Sequence, residues 1–291
     1  MDHGPSADPT RLAFVFAQST VTEGLCASSI LSEPPKERIV LLHQQTLQTL
    51  RMLRLTAMAD AYVRQTQDPE IATLTFDERL GLLVDQEWTH RQDRLLNRLL
   101  REARLKLPAC PEDIDYQASR GLEGSTVRQL AMGQWLQAHH NLLIVGPTGV
   151  GKTFLACALG NAACRQGYRT RYYRLSRLLG DIQIAKGDGS YRRLLNQVAK
   201  VDLLILDDWG LAPLSGAESR EILEVLDDRI LHSTCVVSQL PLHLWHQHFA
   251  DSTVADAVLD RLIHTAHKIQ MQGESMRKMK NSLPMAKESG M

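Results

Sequence analysis

Between residues 39 and 107 the apolar positions return every three or four residues. Leu47, Leu50, Leu53 and Ala57 share one helical stripe, and Asp68-Pro69 interrupts it. A second stripe predicts a longer helix over 76–106, ending before Pro108. In its second half Trp88, Leu95, Leu96, Leu99, Leu100 and Ala103 project to one side. Beyond Asn141 the rhythm changes. Short apolar runs at 142–145, 170–175, 203–206 and 234–238 alternate with helical stretches, which predicts a mostly parallel sheet with helical crossovers. The chain thus reads as an irregular extension (1–38), a small all-helical domain (39–110), an α/β domain (111–281) and a short tail (282–291). No internal repeat is present.

Composition narrows the class without naming a function. The chain has 291 residues, 44% hydrophobic and 23% charged, as expected of a globular protein with room for two domains. Its 33 basic and 33 acidic side chains cancel, so attraction to nucleic acid must come from local patches. No apolar run approaches the roughly 18 residues needed to span a bilayer, and the run over 12–17 has only Arg11 before it and no cleavage signature. Five scattered cysteines fit reduced thiols in a cytoplasmic protein rather than a disulfide framework. His243, His246 and His248 lack partners at metal-ligand spacing, so no zinc site is expected.

The decisive local chemistry follows the first strand. Gly146-Pro147-Thr148-Gly149-Val150-Gly151-Lys152-Thr153 fits the G-x-x-x-x-G-K-[ST] phosphate loop and stands between a strand and a helix. Glycines let backbone N–H groups turn inward around a β-phosphate, and the helix N-terminus presents the positive end of its dipole. Lys152 is then expected to reach the β/γ oxygens and Thr153 to bind Mg²⁺, so the predicted ligand is ATP or another nucleoside triphosphate with Mg²⁺.

Three further groups extend that site. The strand before Asp207 and Asp208 ends in two carboxylates at the edge where ligands bind in such sheets. Asp207 is assigned to the metal or its water, and Asp208 to deprotonating an attacking water. The next strand ends in Ser238-Gln239, and Gln239 or Ser238 is expected to hold that water or the γ-phosphate. Arg261, the polar exception on an apolar helix, fits a finger reaching into a neighbouring subunit's site, and Arg277 fits a nucleotide contact within the chain.

Charge is segregated along the second domain. Nine basic and two acidic residues lie between Arg165 and Lys200, whereas eight acidic residues and only Arg220 lie between Asp202 and Asp228. Arg171, Arg174, Arg177, Lys186, Arg192 and Arg193, with Arg169, form one candidate surface for a nucleic-acid backbone. The row Arg91, Arg94, Arg98, Arg101 and Arg104 on the long helix forms the other. Pairing of basic and acidic faces between subunits accounts for the same segregation.

Taken with 203–208, Ser238-Gln239-Leu240-Pro241, the stretch 255–262 and Gly273-Glu-Ser-Met-Arg277, the phosphate loop resembles that of the IstB-like ATPases encoded beside transposases in bacterial insertion sequences. The resemblance covers about residues 40–280 and includes Asp207-Asp208-Trp209-Gly210-Leu211-Ala212-Pro213-Leu214. It implies an AAA+ domain of the initiator and helicase-loader clade behind a helical domain that binds DNA or a partner. It also implies ATP-dependent self-assembly on duplex DNA and recruitment and stimulation of a partner transposase. A DnaC-like helicase loader shares every ATPase feature and is the alternative. By the resemblance Lys152 and Thr153 are Walker A residues, Asp207 and Asp208 the Walker B pair, Gln239 sensor I, Arg261 the arginine finger and Arg277 sensor II. Asp208 departs from the glutamate usual in AAA+ proteins, and 229–234 looks short. Residues 1–38 match nothing in the family.

Overall fold

A computed structural model describes residues 35–116 and 120–276 of the chain. Most of the 1–38 extension, Arg277 and the tail lie outside the described residues. The chain divides into two compact units, one up to His90 and one from Arg91 onward.

The first unit is helical. It contains α1 (Pro35–Met52), α2 (Thr56–Gln67) and the first half of α3 (Phe76–Ala103). Glu87 accepts a hydrogen bond from the Met58 N–H at 3.1 Å, and Gln65 donates to the Arg79 carbonyl at 2.9 Å, so polar ties fix the helices where apolar burial is sparse. Glu78 reaches back to the Thr75 N–H at 2.8 Å and closes the start of α3. Helix α3 ends three residues earlier than its apolar stripe predicts, because Arg104 adopts a left-handed φ of 49° and turns the chain.

The second unit is a three-layer α/β arrangement. After α4 (Gly124–Ala131) and α5 (Gln134–Gln137) come β1 (Asn141–Val145), α6 (Lys152–Arg165), β2 (Thr170–Arg174), α7 (Leu175–Gly187) and α8 (Tyr191–Ala199). The chain continues through β3 (Leu203–Trp209), α9 (Gly216–Asp227), β4 (Ser233–Ser238), α10 (Ser252–Ile263) and β5 (Ala266–Gln270). All strand pairs are parallel, in the order β2-β3-β4-β1-β5. β1 is buried along its whole length because it lies between two strands and two helical layers.

Alternation sorts the core. Leu142, Ile144, Ile205 and Val237 pack on one face with Leu155, Ala158 and Leu159 of α6. Leu143, Val145, Leu204, Leu206 and Val236 pack on the other with α7, α9 and α10. Two polar residues tie the layers together. Asn141 accepts from the Thr234 N–H and donates to the Arg261 carbonyl, each at 2.8 Å. Arg229, in the segment that looked short, is buried and donates to the carbonyls of Val198, Val201 and Ser233 at 2.6–2.8 Å. Burial pulls its guanidinium pKa down to about 9, against the nearby Asp202 charge.

The four strands expected from the apolar runs are all present, and β5 is an addition. Its Ala-His-Lys-Ile-Gln sequence exposes three of five residues, since it pairs with β1 on one side only.

Candidate nucleotide site

The carboxyl ends of β1, β3 and β4 converge on one cavity of about 420 Å³. β1 runs directly into the phosphate loop, and α6 begins at Lys152 with Gly151 in a left-handed conformation, φ 101°. That positive φ favours glycine here, and a β-carbon would also crowd the Arg120 guanidinium at 2.9 Å. Arg120 itself is buried, lines the cavity, and braces the loop by donating to the Val150 carbonyl at 3.3 Å and to the Asp115 carbonyl.

Within the cavity Lys152 donates to the Pro147 carbonyl at 2.8 Å, across its own loop. Burial lowers its pKa, while Asp207 and Asp208 oppose that shift by attraction. Thr148 on the loop donates to the Gln239 side-chain amide oxygen (Oε1) at 2.5 Å, joining the phosphate loop to the end of β4. Gln239 lines the cavity. Ser238 does not offer its hydroxyl to a ligand: it donates to the Trp209 carbonyl at 2.7 Å and accepts from the Leu240 N–H at 3.0 Å.

Asp207 is the most constrained group in the site. It is 2% exposed. Its Oδ2 accepts from the Thr153 hydroxyl at 2.9 Å and the Tyr172 hydroxyl at 2.7 Å, and its Oδ1 accepts from the Asp208 N–H at 2.9 Å. Burial, then this hydrogen bond, drives the Tyr172 phenol well above its usual pKa, so it remains a donor. Hard oxygens from Thr153 and Asp207, with Asp208 next in the chain and on the same cavity, are a donor set that fits Mg²⁺.

Asp208 lies where the β3–β4 register shifts between Leu206 and Trp209, and its φ is +60°. Left-handed backbone is rare outside glycine and is tolerated best by Asp and Asn. The irregularity brings both consecutive carboxylates to the cavity, whereas a regular strand would send them to opposite faces. It also favours the shorter acid, because the short polar side chain of Asp can hydrogen-bond the local backbone at this angle.

The other expected site residues divide between the cavity and the rest of the surface. Gly149 and Thr153 line the cavity, but Arg261 does not. Arg261 donates from Nε to Asp227 on α9 and from Nη1 to the Ala257 carbonyl at 2.8 Å, with about one third of its side chain exposed. Arg91, Arg94, Arg98 and Arg101 are exposed on α3. In the basic stretch Arg174, Arg192 and Arg193 are exposed as well. Arg177 pairs with Asp181 at 3.2 Å, Lys186 with Glu221, and Arg171 donates to the Glu102 carbonyl at 2.8 Å while lying over the Tyr173 ring. Among the described residues no group of three or more His, Cys, Asp or Glu forms a metal cluster, and His246 pairs with Asp256 at 3.3 Å. No described helix is long and apolar enough to cross a membrane.

Three residues at this cavity carry no motif of their own: Lys106, Arg120 and Tyr172. Tyr172 comes to the site through the β2–β3 register, which sets Tyr172 opposite Ile205 and Arg174 opposite Asp207.

Comparison with known proteins agrees with this geometry. Residues 48–284 match the model of the IstB-like ATP binding protein family. The insertion sequence ATP-binding protein y4pL of Sinorhizobium fredii is 46% identical over 82% of this chain and 98% of its own length. The insertion sequence IS1162 ATP-binding protein of Pseudomonas fluorescens is 52% identical over 69% of this chain and 88% of its own. Among solved structures, AMPPCP-bound DnaA from Aquifex aeolicus aligns with a TM-score of 0.50 at 19% identity, over 60% of this chain and 53% of that one, a likeness of fold.

Proposed function

Because this chain belongs to the IstB-like ATP-binding protein family, we propose that it hydrolyses the ATP it binds and uses the cycle to assemble on duplex DNA beside a transposase. The observation that carries the hydrolysis is the Thr153–Asp207–Asp208 group at the open end of β3, facing Lys152 across one cavity.

The roles follow from chemistry. Backbone N–H groups of 148–151 cradle the β-phosphate, and Lys152 leaves the Pro147 carbonyl for the β/γ oxygens. Thr153 and Asp207 hold Mg²⁺, which when bound neutralises charge on the β- and γ-phosphates. Tyr172 aims Asp207 by donating to it. Asp208 accepts the proton of the attacking water, and Gln239, tied to Thr148, orients that water. Arg277 is assigned to the same nucleotide from the chain's own C-terminal side.

Arg261 completes the centre of an adjoining subunit. Its pairing with Asp227 holds the guanidinium on α10 until a neighbouring γ-phosphate competes for it. Self-assembly is then a condition of turnover. The exposed arginines of α3 and of α7–α8 supply backbone contacts to DNA, with the helical segment 39–110 as a DNA- or partner-binding domain.

The test is phosphate release with Mg²⁺, with and without duplex DNA. Turnover that rises with DNA and with protein concentration supports the proposal. ATP bound without phosphate release under any of these conditions refutes it.

A further inference from the structure

Lys106 lies in the short segment after α3, between Leu105 and Leu107, which both pack against the core of the second unit. The Cys157 thiol of α6 lies against the backbone amides of Lys106 and Leu107, which anchors the segment beside the phosphate-loop helix. From there Lys106 enters the nucleotide cavity, and its Nζ stands 3.7 Å from Asp207 Oδ2. That oxygen also accepts from Thr153 and Tyr172.

A carboxylate as buried as Asp207 requires a compensating positive charge. Lys152 is turned to the Pro147 carbonyl, and Lys106 is the cation paired with Asp207 among the described residues. Thr153 and Asp207 are also the donors assigned to Mg²⁺. An ammonium and a divalent ion on one carboxylate repel each other strongly in a partly desolvated site.

We propose that Lys106 is a placeholder cation: it neutralises Asp207 while the site lacks nucleotide and is displaced when the Mg²⁺–nucleotide complex binds. This rests on the nucleotide reading given above and extends it to regulation of that site. Because Lys106 directly follows the turn that ends α3, its release couples nucleotide binding to the segment that carries the arginine row. Lys106 is thus a positioning residue that sets the Mg²⁺ concentration at which the site loads.

The test measures binding of a fluorescent, non-hydrolysable ATP analogue to the full chain across a Mg²⁺ titration. Lys106→Met and Lys106→Gln should reach half-saturation at about tenfold less Mg²⁺ than the unmodified protein, since a competing charge has been removed. Lys106→Arg should stay within about twofold of it, and both neutral variants should show a larger rise in melting temperature on adding Mg²⁺ with the analogue. An unchanged or raised Mg²⁺ requirement in the neutral variants overturns the proposal, the latter making Lys106 a phosphate ligand instead. If the unmodified protein binds no analogue with Mg²⁺, the nucleotide reading fails first.

Discussion

The nucleotide cavity and the basic stretch of α7–α8 are both rich in charge, yet their charges are held in opposite ways. In the cavity Asp207 receives three hydrogen bonds and a lysine, Lys152 is parked on a carbonyl, and both Asp207 and Lys152 are buried. On α7–α8 the side chains are exposed, and Arg177 and Lys186 are paired with Asp181 and Glu221. Buried charges with several partners hold a fixed geometry, whereas exposed pairs contribute little and exchange readily. The first region is therefore built for chemistry on a defined ligand, and the second for graded attraction to a polyanion.

Arg261 belongs to neither class, and it should give the largest effect. Arg261→Ala should lower hydrolysis about a thousandfold in pure protein while leaving nucleotide binding intact. Mixing it with Lys152→Ala subunits should restore part of the activity, measured as phosphate release. No rescue on mixing would place Arg261 outside a shared active centre.

Lys152→Ala should weaken ATP-analogue binding by about a hundredfold, read by titration calorimetry, because a buried cation facing the phosphates is removed. Normal affinity would undo the assignment of the cavity. Asp208→Glu, which restores the acid usual in AAA+ proteins, should slow hydrolysis by about tenfold rather than speed it. The φ of +60° favours Asp, and the longer acid displaces the proton acceptor. Faster turnover in this variant would show that the backbone angle does not select the residue.

The smallest effects belong to the basic stretch. Arg192→Ala and Arg193→Ala should each weaken duplex binding several-fold and reduce the slope of log affinity against log salt by about one. Arg177→Ala and Lys186→Ala should change binding less, since their charges are already answered within the chain. Equal losses from all four would mean that DNA outcompetes the internal acids.

Legibility in the sequence followed the same division. Lys152, Thr153, Asp207 and Asp208 were readable because each sits in a contiguous motif on a strand end, and local spacing carries the chemistry. β1, β2, β3 and β4 were readable as apolar runs, whereas β5 has only Ile269 buried and lacks such a run. Tyr172, Lys106 and Arg120 were not readable. They reach the site through the β2–β3 register and through segments that pass behind the phosphate loop, which no local pattern encodes. Charge counting marked the basic stretch but could not tell Arg192 from Arg177, because pairing with an acid one turn away depends on the fold.

The most direct test of the whole account is phosphate release by the unmodified protein and by Asp208→Asn at saturating ATP, with Mg²⁺ and duplex DNA present. The account predicts DNA-stimulated release by the first and a loss of more than a hundredfold in the second, with ATP-analogue affinity equal in both. Undiminished release by Asp208→Asn would contradict it.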